Sequence, residues 1–411
     1  MAEEFIVPKE PKLHWKMLLP NFRQNGHLLP KNGRSVHHLF WARNGIYHGL
    51  AALGAKPGDN VLVPAYHCTS LVEPILRYGC EAKFYDINTD LSSNFDDIRE
   101  KIDRKTRAIL AIHYFGFPQP IRKFRELCQA WGLHLIEDCA HVLNGSTEEG
   151  IALGESGDIS IFSWRKFLPL YDGGQLVINN SKLILNVPWE KGGLLLSLKI
   201  AKNTFERLFE GSTAGGRRRL SSMWKLFSTL VRHLGSLNSG GRRALDVNSY
   251  EVEFDVNCVN LGMSGISKRI LKRVDIAKVV ERRQRNYEHL RDAVQSMKRV
   301  TVPYPTVPQN ICPWVFPLLV HGVKDLQLML RARGIPATSW GGVIHPSLML
   351  EQFPSARFLY ENLLFLPIHQ SMEEKDLQAM IRILGEVLQQ RLQVDEKGFD
   401  GRLSLSAVSG R

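Results

Sequence analysis

Leu135-Ile136-Glu137-Asp138-Cys139-Ala140-His141 is a short apolar run that breaks off in two acids and a histidine. Such a run, entered from a helical pattern over Pro120 to Trp131, is the mark of a buried strand. The same alternation extends to both sides. Upstream, the pattern predicts a helix over Asn44 to Leu53, stopped by Gly54 and Pro57-Gly58, and a strand at Asn60 to Pro64. A helix at Val72 to Tyr78, a strand at Ala82 to Tyr85, a helix at Asn94 to Ile102 and a strand at Ala108 to His113 continue it. Downstream, strands at Ser160 to Ser163 and Gln175 to Asn179 flank a Gly173-Gly174 turn. Helices alternating with short apolar strands from about residue 36 to 180 predict an α/β domain, a mostly parallel sheet covered by helices.

In such a sheet, ligands bind beyond the carboxyl ends of the strands, where Asp138 stands. The stretch Ser163-Trp164-Arg165-Lys166 puts a hydroxyl and an amine three residues apart at the exit of another strand. An amine to condense with an aldehyde, a carboxylate to face a pyridine nitrogen and a cradle for a phosphate are what pyridoxal 5'-phosphate chemistry requires. Lys166, Asp138 and Ser163 are the candidates for these three roles, with His141 beside the ring or its phenolic oxygen. Taken separately each has a plainer reading: surface serine and lysine, helix-capping aspartate, packing histidine.

The remaining chain bounds the function. Its 411 residues, 44% hydrophobic and 23% charged, fit a large folded domain with a smaller companion, and no run is apolar and long enough to span a membrane. The N-terminal MAEEFIVPKEPKLHWK lacks the basic start and apolar run of a secretory signal, so a cytoplasmic location is expected. Six scattered cysteines with no C-x-x-C pair point to reduced thiols and to no metal site. The formal charge is +12, and residues 181–250 supply two-thirds of it with twelve Lys or Arg against four Asp or Glu. Residues 181–259, which break the helix and strand rhythm with repeated Gly-Gly pairs, read as a basic insertion. Within it Met223 to Leu234 has the spacing of a basic amphipathic helix. A solvated loop is favoured there over contact with an anionic membrane surface, and nucleic acid is not expected as a partner. Residues 1–35 read as an arm, 36–260 as the large domain, 261–392 as a smaller α+β domain and 393–411 as a disordered tail. The small domain is expected to hold a long helix from Ser264 to Met297, a strand at Trp314 to Val320, a helix at Val323 to Arg333 and a closing helix from Met372 to about Leu392.

Several ordered motifs resemble the DegT/DnrJ-type sugar aminotransferases, within the fold type I pyridoxal-phosphate enzymes. They are Ala42-Arg43-Asn44-Gly45, the stretch ALGAKPGDNVLVPAY, His113-Tyr114-Phe115-Gly116, IEDCAH, Gly157-Asp158 running to Ser163, Gly173 to Val177, Asn260-Leu261-Gly262-Met263-Ser264 and Leu366-Pro367-Ile368-His369. The resemblance covers about residues 37 to 390 apart from the insertion. It implies a fold type I architecture with a mostly parallel large domain and a smaller C-terminal α+β domain. It also implies an aminotransferase using pyridoxal 5'-phosphate, a nucleotide-linked keto-deoxy sugar as acceptor and glutamate as donor, serving polysaccharide or amino-sugar synthesis. By the same resemblance Lys166 holds the cofactor, Asp138 and His141 face its ring, and Ser163, Ala42, Arg43 and Asn44 cradle its phosphate. Tyr66 and His67 flank it beside Cys68, and His113, Trp340, His345 and His369 form the substrate side. A homodimer with shared active sites follows, Asn260 reaching the partner's phosphate.

Four departures stand out, the first being that Lys166 follows Ser163 by three positions where many relatives have a loop two residues longer. Arg43 replaces a usual threonine, Cys68 the ring-stacking aromatic, and Gly262 an arginine of the Asn-Leu-Gly-Met-Ser box. Two other readings stay open. One is a sugar dehydratase, in which a histidine would replace the lysine present here; the other is an aminotransferase-like scaffold that binds a membrane surface or nucleic acid.

Overall fold

The computed structural model describes residues 5–18, 34–210, 229, 254–323 and 325–406. Its main sheet has seven strands in the order β1-β7-β6-β5-β4-β2-β3. These are β1 (Ser35–Leu39), β2 (Asn60–Pro64), β3 (Glu81–Tyr85), β4 (Thr106–Ile112), β5 (His134–Cys139), β6 (Ile159–Ser163) and β7 (Gly174–Ile178). Neighbours from β3 to β6 run parallel, while β7 is antiparallel to both β6 and β1. Every residue of β2 and β7 is buried, as expected of strands with both faces covered.

The crossover helices are α1 (Ala42–Ala52), α2 (Val72–Tyr78), α3 (Phe95–Lys101) and α4 (Ile121–Trp131). Their ends obey local chemistry. Gly79 and Gly132 take left-handed conformations at the C-termini of α2 and α4, and the Asn94 side chain caps α3 by accepting from the Asp97 amide. Ile121, Phe124, Leu127 and Cys128 are the buried stripe of α4. β5 and β6 lie side by side in the sheet, so the ends carrying Asp138 and Ser163 open on the same edge.

A second, antiparallel sheet has the order β10-β9-β8, from β8 (Val300–Thr301), β9 (Phe316–Val320) and β10 (Leu363–Leu366). Around it are α6 (Gly265–Leu271), α7 (Ile276–Val294), α8 (Leu326–Ala332), α9 (Pro354–Asn362) and α10 (Glu374–Ser406). One apolar cluster runs through both sheets and joins Val61, Ile136 and Ile159 to Phe316, Leu359 and Phe365.

The structure differs from the sequence reading at definite places. The helix expected over Ser264 to Met297 is two helices, because the Asp275 side chain accepts from the Lys278 amide and starts a new one. The closing helix starts at Glu374 and continues past Leu392 to Ser406, into the stretch read as a disordered tail. The strands β1 and β10 and helix α9 were not foreseen. Residues 182–210, the first part of the expected insertion, are built into the edge of the large sheet. Glu190 bridges to Leu261, the Trp189 indole donates to His37 at 3.2 Å, and α5 (Leu194–Glu210) buries Ile200 against Phe40 and Tyr171. The amphipathic stretch Met223 to Leu234 lies outside the described residues except for Thr229. Among the described residues no helix is long and apolar enough to cross a membrane.

Candidate active site

A pocket opens where β4, β5 and β6 end and α1 begins. Ile112, Asp138, Ile161 and Ser163 come from the strand ends, Ala42 and Arg43 from the first turn of α1, and Lys166 from the short turn after β6. Close approach of the α1 start to the sheet depends on Gly174: a Cβ there would lie 2.3 Å from the Trp41 carbonyl carbon. Cys68, Ala140, His141 and Trp340 are among the residues of its other walls.

The three residues assigned catalytic roles by sequence meet in this pocket. Burial lowers the Lys166 amine below its ordinary pKa, opposed by the charges of Cys68 and Asp138. Burial raises the Asp138 carboxyl, which Lys166 and a hydrogen bond from the Ala140 amide to Oδ1 at 2.8 Å pull back down. His141 is held well below its ordinary value by burial and then by the Lys166 charge. Its Nδ1 accepts from the Phe115 amide at 3.3 Å, so the neutral ring carries its proton on Nε2.

The same pocket also presents groups that favour an anion. The first turn of α1 presents the Ala42 and Arg43 amides, which precede the first intrahelical hydrogen bonds, while the Asn44 amide donates to the Trp41 carbonyl at 3.1 Å. Arg43 lies with its guanidinium 4.6 Å from the Trp41 ring centre and makes no ion pair among the described residues. Burial, then the Arg165 charge, push it down to about 10. Arg165 lines the same pocket, and the buried Trp41 indole nitrogen has no hydrogen-bond partner among the described residues.

The remaining sequence candidates are committed elsewhere. Asn44, read as a phosphate ligand, donates instead to the carbonyls of Cys258 at 2.9 Å and Val259 at 3.2 Å and ties α1 to that segment. Tyr66 and His67 are fully buried outside the pocket. Tyr66 packs on Trp340 and Tyr360, while His67 donates from Nδ1 to the Pro64 carbonyl at 2.9 Å and stacks on Phe84. His113, read as a substrate residue, uses both ring nitrogens: Nε2 bonds Glu137 at 3.0 Å and Nδ1 accepts from the Gln119 amide at 3.1 Å. Glu137 also accepts from the Gly154 and Gly157 amides, so in the buried grouping of His113, Glu137 and Cys139 the first two already bond to protein groups. His345 pairs with Glu73 at 3.1 Å and Ser347 at 2.7 Å, and His369 bonds the Pro8 carbonyl at 2.9 Å. Of the four residues assigned to the substrate side, only Trp340 faces the pocket. Asn260 also lies outside it, with its carbonyl accepting from the Glu190 amide at 2.9 Å.

Sequence reading missed Trp314 and Arg165. Trp314 stacks on His141 with ring centres 4.2 Å apart, and the Lys166 ammonium lies 4.6 Å from its ring centre. It entered the sequence reading only as the start of a strand. Phe115 and Gly116 form a left-handed turn against this stack, with φ of 57° and 98°. A Cβ on Gly116 would meet the Cys312 carbonyl oxygen at 2.4 Å, which accounts for glycine in the His-x-x-Gly segment. Asp172 accepts from the Ser264 amide at 2.5 Å and from the Ser264 and Ser267 hydroxyls, stapling the loop after Lys166 to the start of α6.

Residues 42–207 match the DegT/DnrJ/EryC1/StrS aminotransferase family, a span that includes most of α5. A GDP-perosamine synthase of Vibrio cholerae is 34% identical over 157 residues, which are 37% of this chain and 42% of the relative. The match thus spans less than half of that relative's length. Among solved structures, Helicobacter pylori PseC, an aminotransferase involved in the biosynthesis of pseudoaminic acid, superposes with a TM-score of 0.65 at 16% identity over 94% of this chain and 100% of that one. The aminotransferase TlmJ from Streptoalloteichus hindustanus gives 0.61 at 18% identity over 87% and 86%. The chain therefore has the fold type I architecture of these enzymes, and its residues 42–207 match the DegT/DnrJ/EryC1/StrS aminotransferase family.

Proposed function

We propose that this protein is a pyridoxal 5'-phosphate-dependent aminotransferase that moves the amino group of glutamate to a nucleotide-linked keto-deoxy sugar for amino-sugar or polysaccharide synthesis. The observation that carries the reading is one pocket lined by Lys166, Asp138 and His141 together with the start of α1 and Arg43. This donor set fits the cofactor: an amine for the aldehyde, a carboxylate for the ring nitrogen, and amides with a guanidinium for the phosphate. The names of the relatives support the substrate class. One is a GDP-perosamine synthase and another, from Acidithiobacillus ferrooxidans, a UDP-N-acetyl-3-dehydro-alpha-D-glucosamine aminotransferase.

When bound, the cofactor supplies an electron sink that stabilises negative charge at the carbon bearing the amino group. The chain's own groups do the rest. Burial keeps a larger share of Lys166 neutral than an exposed lysine would be, so its Nζ can take a proton from the substrate carbon and return it. Asp138, with Oδ1 fixed by the Ala140 amide, holds a proton at the ring nitrogen. His141 offers its Nε2 proton to an oxygen acceptor at the ring. Ser163, Arg43 and the Ala42 end of α1 hold the phosphate. A homodimer completes the reading, with Asn260 of each copy reaching the other's phosphate.

The test is direct. Protein supplied with cofactor, glutamate and a panel of nucleotide-linked 3-keto and 4-keto sugars is assayed for 2-oxoglutarate and for the amino sugar by mass. Product with at least one sugar, absent with Lys166→Ala, is the expected result. A protein that binds the cofactor yet aminates none of them would refute the substrate class.

A further inference from the structure

We propose that Trp314 is a positioning residue that holds Lys166 and His141 in register whenever the lysine amine is free. The inference rests on Lys166 acting as the proposed cofactor lysine. Trp314 meets both residues through separate contacts. Its indole N–H donates to the Lys166 carbonyl at 3.1 Å, its ring centre lies 4.6 Å from the Lys166 ammonium, and its ring stacks on His141 at 4.2 Å with planes 17° apart. The tryptophan is itself fixed. Its amide donates to the Phe115 carbonyl at 2.8 Å, and its carbonyl accepts at 2.7 Å from the buried Arg283, which also donates to the carbonyl of Phe167, next to Lys166.

The arrangement has a chemical consequence. Lys166 and Asp138 share the pocket and feel each other's charge, yet they form no ion pair among the described residues. An ion pair would hold the amine in its charged form and occupy the carboxylate meant for the cofactor ring. An aromatic face keeps an ammonium in place by a weaker attraction and leaves the carboxylate unclaimed. Trp314 thus parks the amine in the pocket without tying it to Asp138, where it can give up its proton.

The experiment uses cofactor-free protein, in which Lys166 is labelled with an amine-selective acylating reagent across a pH series and quantified by peptide mass. In Trp314→Leu the midpoint of labelling shifts by at least about half a pH unit, the size expected for loss of one cation–π contact. The shift is downward if only the ring's attraction is lost and upward if the amine falls onto Asp138; either supports the proposal. Trp314→Phe, which keeps an aromatic face, shifts by less. Equal midpoints in all three folded proteins, or equal shifts in the two variants, would overturn it. Labelling needs no cofactor, so it reads the Trp314 contact separately from whether Lys166 binds pyridoxal phosphate: a failed labelling result overturns the role of Trp314 with the functional reading intact.

Discussion

The strand-end side of the pocket and the histidines assigned to its substrate side behave in opposite ways. At the ends of β5 and β6, Asp138, His141, Ser163 and Lys166 come from two short motifs 22 residues apart in sequence, and all four line one pocket. His113 and His369 come from motifs of the same resemblance and His345 from the wall that it implies, yet each hydrogen bonds to another part of the fold outside the pocket. The difference lies in what a motif constrains. A parallel strand fixes which edge its last residue occupies, whereas a lone histidine carries two nitrogens that any nearby carbonyl or carboxylate will claim.

Substitutions test that contrast, beginning with the largest effect. Lys166→Ala should abolish transamination, a loss of at least the roughly 10²- to 10⁴-fold that a positioned acid–base group contributes, measured as 2-oxoglutarate release. Asp138→Asn removes the charge proposed to face the ring nitrogen and should lower kcat by about 10²- to 10³-fold while the protein keeps its melting temperature within a few degrees. Gly174→Ala forces a Cβ into the Trp41 peptide and should destabilise the fold by about 1–3 kcal/mol, read from denaturant unfolding, while weakening cofactor affinity.

Acid should act on the histidine side. His67 and His369 are both held down to about 4 by burial against an ordinary 6.5. The unfolded chain therefore takes up protons that the folded chain refuses as pH falls below about 6.5. Stability should be flat on this account above that pH and decline between about 6.5 and 4, visible in thermal melts against pH. The smallest effect is expected at the active site from His345→Ala. Losing its bonds to Glu73 and Ser347 should cost on the order of 1 kcal/mol of stability and leave kcat/KM for the sugar within about twofold.

Much of the large sheet was legible because its strands are short apolar runs bounded by turn residues; β2 and α2 have the bounds the pattern predicts. β1 was not, because Ser35-Val36-His37-His38-Leu39 is an edge strand with two histidines and only one fully buried residue. The break between α6 and α7 was hidden by continuous helical periodicity, although Asp275 was the capping residue that made it. At the site, the groups carried by strand ends could be read from motif order. Trp314 could not, since its place comes from the second sheet packing over the first. The commitments of Asn44, Tyr66 and His67 likewise depend on partners distant in sequence or on packing that no local pattern records.

The most direct test of the central claim is reduction of the cofactor-loaded protein with borohydride followed by peptide mapping. The account predicts that the absorbance of the bound cofactor changes and that one pyridoxyl group is fixed on the peptide bearing Lys166. A pyridoxyl group fixed on a different lysine, or none fixed at all while the sugar is still aminated, would contradict it.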